Sequence, residues 1–219
     1  MTRPRLKICC VLDEAEAALA VAGGADAIGL VGPGLSGPEV RDEATIRRVA
    51  ATVPAPVATF LLTRLSDPDD LVRQVQFTAT TVVQLCDAVP REAWTALKRH
   101  CPWVRVLQVV HVSGPDAVDE ARDAAPFVDG VLLDSGVPTG PNPVFGGTGR
   151  THDWSISARV VRALDRPVWL AGGLHADNLA DAWRAVRPFG LDLCSGARVN
   201  GRMDADRVAA LARAMRALD

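Results

Sequence analysis

The feature that most constrains this chain is an alternation of two textures repeated eight times. Short apolar runs occupy residues 6–11, 27–31, 57–62, 81–85, 104–110, 130–133, 168–171 and 191–194. Between and after them, residues 14–21, 43–52, 68–77, 91–100, 115–124, 155–164, 176–186 and 205–218 carry apolar side chains at helical spacing. Unbroken apolar runs of that length suit strands buried on both faces, and the longer segments suit amphipathic helices. Several of these segments open on a helix-start residue, such as Asp13 before EAEAALA or Ser66 and Asp67 before PDDL. Eight β-then-α units in 219 residues predict an α/β fold of the closed (β/α)8 barrel type, in one domain spanning residues 1–219. An open doubly wound sheet usually has five or six strands and a phosphate-binding glycine fingerprint in its first turn. Here the first turn reads CCVLDEAE, without glycine.

Composition removes several functional classes. The net charge of −2, with basic residues scattered along the chain, provides no electrostatic footprint for nucleic acid. No apolar run is long enough to span a bilayer, and the start MTRPRLKICC lacks the apolar stretch of an export signal, so a cytoplasmic location and no membrane partner are expected. The five cysteines, Cys9, Cys10, Cys86, Cys101 and Cys194, show neither CxxC nor Cys/His spacing. Neither a disulfide framework nor a metal site is expected.

In a barrel of this kind the chemistry sits where strands end at their carboxyl edge. The residues there are Cys9 and Cys10, the GPGLSG loop at 32–37, Thr63 and Arg64, Gln84 to Asp87, His111, Asp134 and Ser135, Gly172 and Gly173, and Cys194 to Gly196. Three glycine-bearing stretches gather in the last third: FGGTGRTHDW (145–154), LAGGL (170–174) and CSGAR (194–198). Any one of them could be a plain turn, but together they offer backbone N–H groups to an anion at one end of the barrel. Gly147, Thr148, Gly149, Gly172, Gly173, Ser195 and Gly196 are therefore candidates for binding a phosphate. Asp134 ends an apolar run, where a carboxylate without a task is costly. His111, at a strand end, is a candidate for orienting a ligand, although a lone histidine there is more often structural. His152, just before Asp153 and Trp154, reads as part of a helix start.

KIC at 7–9, GADAIGLV at 24–31, VQL at 83–85, LLDS at 132–135, GGTGRTHDW at 146–154, LAGGL at 170–174 and SG at 195–196 resemble phosphoribosylanthranilate isomerase, a (β/α)8 enzyme of tryptophan biosynthesis. The resemblance runs in order over nearly the whole chain. It implies an Amadori rearrangement, in which an aminoaldose 5-phosphate opens and becomes a 1-amino-1-deoxyketose phosphate. An acid protonates the furanose ring oxygen to give a Schiff base, and a base removes the C2 proton to give an enolamine that tautomerises to the ketone. Carried over by motif, the base is Cys9 and the acid Asp134. A thiol base requires a lowered pKa, and an acid must hold its proton. Alternation along a strand predicts that Cys9 and Cys10 point to opposite faces, so that only Cys9 enters the site. The implied partner is a small phosphosugar, and the reaction needs no metal or nucleotide cofactor.

The departures concentrate on the aglycone side. Cys10 follows KIC where the family has glycine. Pro38, in SGPEV (36–40), stands where the family has the arginine that receives the anthranilate carboxylate. Cys86 and Asp87 follow Gln84 and Leu85 where the family has histidine then glycine, and Arg198 replaces a glutamate. Arg41 and Arg64 are candidates to replace the missing carboxylate clamp, with Gln84, Cys86 and His111 as further substrate contacts. Three readings stand at this point: the family isomerase with a different clamp, a paralogue acting on another pentose phosphate derivative, and a non-catalytic phosphosugar-binding barrel.

Overall fold

The computed structural model describes residues 3–136 and 152–218. Each apolar run forms a parallel strand: β1 (Arg5–Ile8), β2 (Ala27–Val31), β3 (Ala58–Thr63), β4 (Val82–Leu85), β5 (Arg105–His111), β6 (Gly130–Asp134), β7 (Val168–Leu170) and β8 (Gly190–Leu193). They pair in chain order, and β8 returns to β1 with Arg5 opposite Gly190 and Ile8 opposite Leu193, closing a (β/α)8 barrel. The outer layer is α1 (Glu14–Ala22), α2 (Glu43–Thr52), α3 (Pro68–Thr78), α4 (Arg91–His100), α5 (Ala117–Ala124), α6 (Trp154–Ala163), α7 (Leu179–Val186) and α8 (Ala205–Arg216). Among the described residues no helix is long and apolar enough to cross a membrane.

Local chemistry sets where the helices begin. The carboxylates of Asp13, Asp42, Asp67, Asp153 and Asp204 accept first-turn N–H groups of α1, α2, α3, α6 and α8. A cap of this kind is worth about 0.5–2 kcal/mol. Helix α7 starts three residues later than its periodicity suggests because Asn178 holds the preceding turn. Its Oδ1 accepts from the His175 N–H and its Nδ2 donates to the Gly173 carbonyl, each at 2.9 Å. A short antiparallel hairpin, β9 (Arg198–Val199) and β10 (Arg202–Met203), follows β8 before α8.

Alternation along the strands separates two apolar layers. Ile8, Ile28, Leu30, Leu61, Val83 and Leu85 point outward to a core shared with Ile46, Leu71 and Leu97 of the helices. Their neighbours Ala27, Val31, Phe60, Leu62, Val82, Leu107, Leu132 and Trp169 fill the barrel. Phe60 and Trp169 meet edge to face at 5.6 Å, and a Cβ on Gly190 would lie 2.4 Å from the Trp169 ring. This apolar plug seals the barrel below the carboxyl ends of the strands. On the rim of the opening at the opposite, amino-terminal face, Arg5 pairs with Asp26 at 3.1 Å and Arg105 with Asp129 at 3.3 Å.

Candidate active site

The parity that places Ala27 and Val31 inside the barrel also turns Lys7 inward, and burying an ammonium requires a partner. Asp192, inward-facing on β8, supplies it: Lys7 Nζ lies 2.7 Å from Asp192 Oδ2, with both side chains buried. The ammonium also sits 5.0 Å from the Phe60 ring centroid. Burial acts to discharge Lys7, but attraction to Asp192 and to the Cys9 sulfur outweighs it, and the lysine stays charged.

Cys9 lies one inward position further along. Its N–H still donates to the Leu193 carbonyl at 2.7 Å, and its side chain is buried. Space for the sulfur comes from Gly29 on β2. A Cβ there would lie 2.6 Å from Cys9 Sγ and 3.2 Å from Lys7 Nζ. The Cys9 thiol is held below its usual pKa, first by hydrogen bonding with Cys10 and then, against burial, by the charge of Lys7. Cys86, buried nearby, goes the other way: burial pushes it up to about 12.

Cys10 does not follow the alternation expected of a strand. β1 ends at Ile8, and Cys10 adopts φ +64°, a left-handed conformation that costs a non-glycine residue roughly 1–2 kcal/mol. Both thiols consequently face the same cavity, which corrects the expectation of opposite faces. The glycine expected at this position from the family pattern is the residue that fits such a φ without strain.

That cavity, of about 310 Å³, lies at the carboxyl ends of the strands. Cys9 and Asp134 both line it, as do Gln84, Cys86 and His111. Gly172, Gly173 and Ser195 form another part of the wall, and Val31, Leu62, Val109, Leu132 and Ala171 supply apolar surface. Gly172 (φ +90°) and Gly173 (φ +62°) are left-handed, and among the described residues no acceptor takes either N–H. Gly172 also packs so closely on Ser135 that a Cβ would meet its Oγ at 2.6 Å. Asp134 accepts from the Ser135 N–H at 2.8 Å. His111 Nε2 lies 3.1 Å from the Cys86 carbonyl, an acceptor, so Nε2 carries a proton, and in the corresponding neutral tautomer Nδ1 is an acceptor. Nδ1 and Gln84 Oε1 are both buried and have no hydrogen-bond partner among the described residues.

Three expected contacts fall elsewhere. Arg41 turns away from the cavity because backbone carbonyls beside it capture its guanidinium: Nε donates to Leu12, and Nη1 to Pro38 and Val40, at 2.6–3.0 Å. Arg64 is drawn to Asp87, with Nε 2.6 Å from Oδ2, and does not line the cavity. Gly196 is also outside the wall, where a Cβ would meet the Leu174 carbonyl at 2.4 Å; its glycine serves packing. Gly147, Thr148 and Gly149 lie outside the described residues. His152, read as part of a helix start, contacts the Ser157 hydroxyl of α6 at 2.6 Å.

Lys7 and Asp192 were missed as site residues. The available signal was a lysine two positions before Cys9 inside an apolar run, on the same face of the strand.

Residues 6–214 match the N-(5'-phosphoribosyl)anthranilate isomerase family. The chain belongs to that family. It is 37% identical over 217 residues to N-(5'-phosphoribosyl)anthranilate isomerase of Haloferax volcanii, covering 96% of this chain and 92% of the relative. The crystal structure of phosphoribosyl anthranilate isomerase from Thermotoga maritima superposes with a TM-score of 0.82 at 26% identity, covering 98% of this chain and 100% of that one. A phosphoribosyl anthranilate isomerase in complex with reduced 1-(o-carboxyphenylamino)-1-deoxyribulose 5-phosphate superposes with a TM-score of 0.80 at 25% identity and the same coverage. The chain is thus an isomerase of this family, and its barrel mouth holds Cys9, Asp134 and the Gly172–Gly173 turn around one cavity.

Proposed function

We propose that this isomerase converts N-(5'-phosphoribosyl)anthranilate into 1-(o-carboxyphenylamino)-1-deoxyribulose 5-phosphate by an Amadori rearrangement, as a step of tryptophan biosynthesis in the cytoplasm. Asp134 protonates the furanose ring oxygen and the C1–O bond breaks to give a Schiff base. Cys9, as thiolate, takes the C2 proton, and the enolamine tautomerises to the ketone with no net gain or loss of atoms or electrons. The observation that carries this reading is Cys9 itself: a thiol beside the Lys7 ammonium, with its pKa lowered, in the same cavity as Asp134. The phosphate goes to the N–H groups of Gly172 and Gly173, which no acceptor among the described residues takes, beside Ser195. The acceptors Gln84 Oε1 and His111 Nδ1 suit sugar hydroxyls or the bridging N–H.

The test is turnover of phosphoribosylanthranilate by purified protein together with rescue of a tryptophan auxotroph lacking this isomerase. Cys9→Ser and Asp134→Asn should each abolish both. An active Cys9→Ser enzyme identifies a different base.

A second reading, a changed aglycone, is favoured by one observation. The loop after β2 presents Ser36 and Glu39 to the cavity, and no lysine or arginine among the described residues lines it. A carboxylated aglycone near Glu39 meets repulsion rather than a guanidinium fork. Comparing turnover of phosphoribosylanthranilate with that of its analogue lacking the carboxylate separates the two readings.

A further inference from the structure

The described wall of the cavity is polarised across the mouth of the barrel. In a closed barrel of strands paired in chain order, β7 and β8 lie opposite β3 and β4, and β2 and β5 flank that far side. The β7–β8 side holds donors: the N–H groups of Gly172 and Gly173 and the Ser195 hydroxyl. The far side holds acceptors. Glu39, in the loop after β2, lines the cavity and has no ion pair or hydrogen bond among the described residues. Its Oε2 occupies space left free by Gly37 (φ +119°), where a Cβ would lie 2.8 Å away. Arg41, two residues on, does not neutralise it, because the Leu12, Pro38 and Val40 carbonyls hold that guanidinium. Gln84 of β4 is 5% exposed; its Nε2 turns to the Cys86 sulfur at 4.0 Å, and its Oε1 is buried without a hydrogen-bond partner among the described residues. His111 Nδ1, at the end of β5, is buried and unpaired among those residues too, and accepts in the neutral ring. Cys86 already directs its S–H to the Gln84 carbonyl at 3.7 Å. Ser36 adds a hydroxyl, which serves either way, and Val31, Leu35 and Leu62 add apolar surface for a flat ring. Buried acceptors left unpaired cost free energy that a ligand's donors recover.

We propose that this isomerase has a further activity: it performs the same rearrangement, more efficiently than on phosphoribosylanthranilate, on an aminoaldose 5-phosphate whose aglycone is an uncharged ring bearing an N–H donor such as a carboxamide, and Glu39 selects that aglycone. The proposal rests on the reading of Cys9 and Asp134 as base and acid and deepens the changed-aglycone reading. With the phosphate on the β7–β8 side, the ring at the other end of the sugar reaches toward β3 and β4. A carboxylate there meets the Glu39 charge, whereas an amide presents N–H groups to Glu39, Gln84 Oε1 and His111 Nδ1. The remaining acids in the wall are otherwise engaged, Asp192 by Lys7 at 2.7 Å and Asp134 by the chemistry. The reaction is an isomerisation for every aglycone, so no co-reactant is needed.

Three substrates made by condensing ribose 5-phosphate with 2-aminobenzamide, aniline or 2-aminobenzoate separate attraction from repulsion. The parent enzyme should show kcat/KM highest for the amide, intermediate for the unsubstituted ring and lowest for the carboxylate. The amide should exceed the carboxylate by about tenfold to hundredfold, the worth of a charge-assisted contact. Glu39→Gln keeps the size of the side chain and removes its charge, so the amide-to-carboxylate ratio should fall to about threefold or less. Because both substrates are measured on one preparation, the ratio does not depend on how much of the variant is folded. A carboxylate derivative turned over as well as the amide by the parent, or a ratio unchanged in Glu39→Gln, overturns the proposal while the isomerase reading stands. If the ratio behaves as expected but Cys9→Ser remains active on the amide, the selection by Glu39 stands and the assignment of the base falls. A parent enzyme that turns over none of the three overturns both.

Discussion

Gly29→Ala adds a single methyl group, which is expected to disable the enzyme while leaving it folded. The backbone of Gly29 is not left-handed, so alanine meets no conformational penalty. In a strand interior it even gains about 0.5–1 kcal/mol over glycine. The difficulty is space. The new Cβ lies 2.6 Å from Cys9 Sγ, 3.2 Å from Cys9 Cα and 3.2 Å from Lys7 Nζ. Non-bonded heavy atoms settle at about 3.5–4.0 Å, so the sulfur must retreat by about 1 Å. It has little freedom to do so, because the Cys9 N–H is bonded to Leu193 and Lys7 is held by Asp192. Overpacking of this size costs about 1–3 kcal/mol, which the strand gain partly offsets. Displacement of a reacting atom by about 1 Å, by contrast, costs on the order of 100-fold in rate, or about 2.7 kcal/mol of barrier. Urea midpoints and kcat/KM for phosphoribosylanthranilate, measured on the same preparation, should show a small loss of stability and a loss of activity near two orders of magnitude. An alanine variant within threefold of the parent activity refutes the argument that Gly29 makes room for the base.

Lys7→Met should lower the free energy of unfolding by about 3–5 kcal/mol in urea, because it leaves the Asp192 carboxylate buried without its ion partner. Adding Asp192→Leu should recover most of that loss, and a single variant as stable as the parent removes the ion pair from the account. The pH profile of kcat/KM should rise on an acid-side limb as Cys9 loses its proton. A lowered thiol pKa places that limb below the usual value of about 8.5, and Cys9 remains reactive above it; a limb at or above 8.5 contradicts a thiolate supported by Cys10 and Lys7. Pro38→Arg restores a guanidinium to the loop after β2. If the changed-aglycone reading holds, it should raise kcat/KM for phosphoribosylanthranilate roughly tenfold to hundredfold, the worth of a charge-assisted contact; a parent enzyme already working at about 10⁵ M⁻¹s⁻¹ or above excludes that reading.

The sequence by itself determined the barrel. Eight alternations between strand-like and helical apolar spacing are local patterns, and the aspartate caps at Asp13, Asp67 and their counterparts lie within three residues of the groups they bind. The barrel then set which ends of the strands meet, so Cys9, Asp134, Gln84, Cys86 and His111 reach one cavity from strands that the chain order already made neighbours or opposites. What only the tertiary structure decided are contacts between charges far apart in the chain. Lys7 meets Asp192 across the seam where β8 closes on β1, 185 residues away, and Arg198 meets Glu16 182 residues away. That second pair grips the Cys10 carbonyl where alternation would have turned the side chain away. Arg41 and Arg64 were lost as ligand contacts for the same reason in reverse. A guanidinium goes to the nearest acceptors with good geometry, here the Leu12 carbonyl and the Asp87 carboxylate, and which acceptors are nearest is settled only when the loops at the barrel mouth are packed together.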